Sequence, residues 1–170
     1  MKHLFLTGEI QVGKSTAIRR YLAARPSLRV GGFRTVAGPG ESGGDGIYMI
    51  PGGQDVPLTQ ENLAFLRWKE GQAKGFTVFP GVFETLGSAL LRSGPCDLIL
   101  MDELGGREEA APNFQRNVLR ALDETIPVLG VVQQRVSPFL DAVRAHPGAE
   151  VWTVTRENRE DVFQRLLRWE

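Results

Sequence analysis

One cysteine, Cys96, and two histidines, His3 and His146, are all the soft metal ligands the 170 residues hold. That excludes an internal disulfide and leaves too few donors for a zinc set. Charge of one sign is lacking too. Twenty basic and twenty acidic side chains cancel, no run of lysine and arginine stands out, and nothing favours nucleic acid or an anionic membrane as partner. No apolar run approaches the ~20 residues of a spanning helix. The opening MKHLFLTG has too short an apolar stretch for a secretion signal and runs straight into a glycine loop. The length suits one core and not two. The expectation is a cytoplasmic monomer, one domain over residues 1–170, with no nucleic-acid or membrane partner.

What is present alternates. Apolar runs at Lys2–Thr7, Val30–Ala37, Asp97–Met101, Val128–Val132 and Val151–Val154 read as strands. Between them, Lys14–Ala24, Val82–Arg92, Phe114–Leu122 and Pro138–Ala145 carry helical spacing. Arg156–Trp169 closes the chain as an amphipathic helix with Thr155 as its N-cap. DLILM at 97–101 shows no polar alternation, as a central parallel strand requires. The fold expected is α/β: a mostly parallel sheet between two helical layers. Gly38–Gly46 (GPGESGGDG) is nearly pure turn chemistry, and Ile47–Ile50 after it would return as an antiparallel hairpin strand. Glu61–Glu70 reads as a short helix or as irregular chain. Trp68, Trp152 and Trp169 read as core packing.

The sharpest signal is GEIQVGKS at 8–15, which fits G-x-x-x-x-G-K-[ST] between a buried strand and a helix. Gly8 leaves the strand by a turn that disfavours a Cβ, and Gly13 lets the backbone approach a phosphate closely. The loop's N–H groups form an anion nest at the positive end of the following helix. Lys14 reaches the β- and γ-phosphates, and the Ser15 hydroxyl ligates magnesium. The nucleotide-binding residues expected are Gly8, Glu9, Ile10, Gln11, Val12, Gly13, Lys14, Ser15 and Thr16, with Mg2+ as cofactor and a nucleoside triphosphate as substrate.

A second stretch, DLILMDELGGREE at 97–109, says what happens to the phosphate. Asp102, at the carboxyl end of a central strand, is placed to hold the magnesium. Glu103 follows it, points another way by strand alternation, and suits deprotonation of an attacking water. Glu108 is either a catalytic carboxylate on a loop over the site or an acid in the first turn of a helix. A cation beyond Lys14 is wanted where phosphoryl transfer builds charge. Arg34, Arg107 and Arg135 are the candidates, with Arg107 favoured because it shares a loop with Glu108.

The chain resembles the small P-loop nucleoside-triphosphatases known from thermophiles, the family that includes the cancer-related nucleoside-triphosphatase. The likeness runs through TGEIQVGKST, GGFRT at 31–35, DLILMDELGGRE at 97–108, PVLGVV at 127–132 and VTRENRED at 154–161. The family's IDE-x-G-x-x-E pattern falls on Asp102, Glu103, Gly105 and Glu108, and its closing segment on Asn158, a candidate for base contact. The resemblance implies slow, magnesium-dependent hydrolysis of nucleoside triphosphates to diphosphate and phosphate, with wide base tolerance. In the family the GGFRT element usually runs on into an acid and an arginine. Here it continues as VAGPGESGGDG. Two other functions fit a phosphate loop: a nucleotide-dependent sensor or assembly factor without catalysis, and a small-molecule kinase.

Overall fold

The computed structural model describes residues 3–40, 44–92 and 94–169. Lys2, the first residue of an expected strand, and residues 41–43 of the expected turn lie outside them. Strands β1 (His3–Thr7), β2 (Val30–Pro39), β6 (Leu98–Leu104), β7 (Val128–Val132) and β8 (Ala149–Thr153) form the parallel half of one eight-stranded sheet. Strands β3 (Asp45–Pro51), β4 (Leu63–Glu70) and β5 (Ala73–Val78) extend it antiparallel, in the order β5-β4-β3-β2-β6-β7-β1-β8. β7 therefore lies between the strand that leads into the phosphate loop and the strand that carries Asp102.

Period-two alternation sends each parallel strand's side chains to two different cores. Leu4, Leu6, Leu98, Leu100, Leu129 and Val131 face helices α1 (Lys14–Ala23) and α5 (Arg159–Leu166). Phe5, Phe33, Ile99, Met101 and Val128 face α3 (Pro112–Asp123) and α4 (Pro138–Arg144). Phe33 and Phe83 both meet Phe114 edge-on, with centroids 5.4 and 5.6 Å away. Each such ring, fully buried, contributes about 1.5–3 kcal/mol. Gly130 leaves room for Phe5; a Cβ there would stand 2.7 Å from that ring and 2.8 Å from the Met101 carbonyl. The expected three-layer α/β fold is the one observed.

Three expectations are corrected. Glu61–Glu70 is not helical: after a 3-10 turn at Gln60–Asn62, residues 63–70 form β4, paired with β5 through Gly71 at φ 58°. A two-residue turn with a left-handed glycine joins hairpin strands without splaying them. Within that hairpin Trp68 is 43% exposed and leans on Gly75, whereas Trp152 is buried. The last helix begins at Arg159, because Thr155 and Asn158 form a turn ahead of it. The helix expected at Val82–Arg92 opens as a π-helical turn, Val82–Gly87, and continues as α2 (Ser88–Leu91).

Candidate active site

The loop after β1 is shaped by its two glycines. Gly8 sits at φ 141°, and a Cβ there would stand 2.3 Å from the Val154 carbonyl oxygen. Gly13, at φ 110°, is the left-handed residue from which α1 starts. Both angles are ones an L side chain rarely adopts. Val12 is buried in the core beneath the loop, while Ile10 is 86% exposed at its tip. Thr7 donates its hydroxyl to the Val132 carbonyl at 2.7 Å, pinning the start of the loop to the end of β7.

Lys14 is buried and folds back over the loop, donating to the Gly8 carbonyl at 2.9 Å and to that of Glu9. Burial lowers its pKa, opposed by the charges of Glu103 and Asp102. The Ser15 hydroxyl donates to Asp102 Oδ1 at 3.0 Å. Asp102 is itself fixed from β2, where Thr35 Oγ1 donates to its carbonyl at 3.3 Å. Burial pushes the Asp102 carboxyl up to about 6; the Ser15 hydrogen bond opposes this and Glu103 adds to it. A hydroxyl and one carboxylate side by side are the kind of oxygen donors that would hold a magnesium ion bound together with a nucleotide. Among the described residues no cluster of three His, Cys, Asp or Glu offers an all-protein cage. The donor set fits magnesium held with a nucleotide.

Glu103 and Asp102 face different spaces. Asp102 lines a groove beside α1 with Arg19 and Arg34, and Arg34 is paired there with Asp55. Glu103 lines a cavity of about 630 Å³ whose opposite wall is the phosphate loop, with Glu9, Ile10, Gln11, Gly13, Lys14, Ser15 and Thr16 along it. Gln133, just past β7, donates Nε2 to Glu103 Oε1 at 2.6 Å. Its backbone N–H donates to Leu104 at 2.9 Å, and Arg144 donates to its carbonyl. Gly105 is needed for this fit, since a Cβ there would stand 2.5 Å from the Gln133 amide carbon.

Glu108 is 2% exposed, and both its oxygens accept the Gly105 N–H at 3.1 Å, which closes the 105–108 turn. Burial raises its carboxyl to about 8, against the backbone hydrogen bonds that favour the charge. Arg107, on the same turn, lies over the Phe76 ring at 3.7 Å. Its pKa is lowered first by burial and then by the nearby Arg135. Asn158 turns its amide inward: Nδ2 donates to the Thr153 carbonyl and Oδ1 accepts the Thr155 N–H. It precedes α5 as its N-cap residue and is not among the residues lining the cavity. Gln133, Arg67, Phe65 and Phe76 also line the cavity, and nothing in the linear sequence singled them out. Gln133 follows an apolar strand as Asp102 does, a signal that needs the strand order to be heard. Gly71 and Gln72 between alternating runs were the trace of the hairpin.

The sequence profile of the NTPase family matches residues 3–167. A nucleoside-triphosphatase THEP1 of Methanosarcina acetivorans is 28% identical over 98% of this chain and 95% of its own length. That of Hyperthermus butylicus is 37% identical over 96% of this chain and 88% of its own. The solution structure of a human cancer-related nucleoside triphosphatase superposes with a TM-score of 0.70 at 25% identity, covering 99% of this chain and 96% of that one. The family match spans nearly the whole length, and the chain belongs to the NTPase family.

Proposed function

We propose that this protein hydrolyses nucleoside 5′-triphosphates to the diphosphate and inorganic phosphate, slowly, with magnesium and with little preference among bases. The observation that carries the proposal is the Gln133–Glu103 hydrogen bond across the cavity from the phosphate loop. It fixes one oxygen of Glu103, and the other has no partner among the described residues. That oxygen takes a proton from water as the water oxygen bonds to the γ-phosphorus and the bridging bond to the β-phosphate breaks.

The loop's N–H groups and Lys14 hold the triphosphate, and Lys14 exchanges its carbonyl partners for phosphate oxygens. Ser15 and Asp102 would hold the magnesium, which spreads the charge of the transferring group. Glu108 acts through the turn it closes and keeps Gly105 against Gln133.

The test is phosphate release from a panel of ribonucleoside triphosphates with magnesium, native chain against Glu103→Gln. Turnover that disappears while nucleotide still binds supports the hydrolase and its base. Turnover that persists in Glu103→Gln overturns the assignment of the base.

A further inference from the structure

The cavity is lined by two positive poles, Lys14 at the phosphate loop and the arginines Arg67, Arg107 and Arg135. Glu103 and Glu108 line it as well. A triphosphate seated in the loop neutralises the first pole and leaves the second unanswered.

The second pole is only partly compensated. Arg107 meets no carboxylate at ion-pair distance and rests on Phe76, and the Arg67 side chain has no hydrogen bond or ion pair among the described residues, although register sets it opposite Asp45 on β3. Arg135 has only an exposed pairing with Glu109. Register places Arg67 opposite Phe76 and Lys69 opposite Lys74, two residues apart on the same face of the β4–β5 hairpin. Like charges directly opposite weaken a sheet, so this face is not built for hairpin stability. Guanidiniums bind phosphate by paired N–H donors, and an aromatic ring beside them offers a stacking face to a flat ligand. Phe76 is 47% exposed.

We infer that the outer half of the cavity, at Arg67, Arg107, Arg135 and Phe76, is a second subsite for a phosphate monoester carrying a flat ring, bound beside the triphosphate. The inference rests on the triphosphate occupying the loop as proposed above. Arg107 then serves this second ligand and not the γ-phosphate.

The test saturates the full chain with magnesium and the β,γ-imido analogue of adenosine triphosphate, then titrates adenosine 5′-monophosphate by calorimetry. One equivalent should bind, at least tenfold tighter than inorganic phosphate. Arg67→Gln should weaken that binding tenfold or more while leaving analogue affinity within about twofold. Monophosphate that binds only by displacing the analogue overturns the inference. So does inorganic phosphate binding equally well, or Arg67→Gln weakening the analogue itself, which would give the arginines to the γ-phosphate. If the analogue does not bind, the reading of the loop has failed. Titration of the free chain then decides the subsite alone: Arg67-dependent monophosphate binding supports it, and none overturns it.

Discussion

Gln133 Nε2 donates to Glu103 Oε1 at 2.6 Å, from a strand that lies between the phosphate-loop strand and the strand of the acids. The bond spans 30 residues of sequence and ties the β7 end to the cavity wall. Removing it with Gln133→Ala frees Glu103 to rotate without removing its charge. A hydrogen bond to a charged group contributes about 1.5–3 kcal/mol, so kcat should fall about 10–100-fold with KM little changed. Steady-state kinetics on the two proteins checks this, and an unchanged kcat would remove Gln133 from the mechanism.

Glu103→Gln should cost more. General-base catalysis contributes about 10²–10⁴-fold, and the amide cannot take the proton. Nucleotide affinity, measured with a fluorescent triphosphate, should stay near that of the native chain.

Magnesium use should be pH-dependent below neutrality. Asp102 must be ionised beside Ser15 to hold the metal, and burial has raised it to about 6. Proton and metal therefore compete below that value, and apparent magnesium affinity should fall about tenfold per pH unit there and level off above it. Magnesium titrations of nucleotide binding at pH 5, 6 and 7.5 read this directly; a flat series would mean Asp102 is not a ligand.

Glu108 makes stability fall as pH rises. The folded carboxyl keeps its proton up to about 8, whereas the unfolded chain loses it near 4.5. Between those values the folded state binds the extra proton, so raising pH favours unfolding, by at most ~1.4 kcal/mol per pH unit. Asp102 has the same sign, but only up to about 6. Urea midpoints from pH 6.5 to 8 should therefore decline in the native chain and decline less in Glu108→Gln, and equal slopes would count against the buried proton.

Gly8→Ala should destabilise the fold and the loop together. The new methyl would meet the Val154 carbonyl at 2.3 Å and force an L residue to φ 141°. Strain of this kind costs about 1–3 kcal/mol, visible as a lower thermal midpoint, with triphosphate binding lost even below it.

Local chemistry was enough to read the phosphate loop, the Asp102–Glu103 pair and the alternation of strands and helices. A glycine that must adopt φ 141°, a lysine and a hydroxyl after it, and an unbroken apolar strand are each decided by a few adjacent residues. The hairpin at 63–78 escaped because its residues serve two patterns at once, and pairing with β3 selects the strand. The turn that Asn158 makes with Thr155 was not legible, because it closes only once β8 delivers both residues.

By itself, the sequence determined the phosphate-loop pattern at 8–15 and that Glu103 stands next to Asp102 at the end of a buried strand. Only the tertiary structure decided that β7 intervenes between β1 and β6, which sets Gln133 against Glu103. It also decided that the hairpin carries Arg67 and Phe76 to the cavity holding Arg107. Strand order and hairpin placement are settled by which apolar faces bury each other across the whole chain, and no window of neighbouring residues contains that balance.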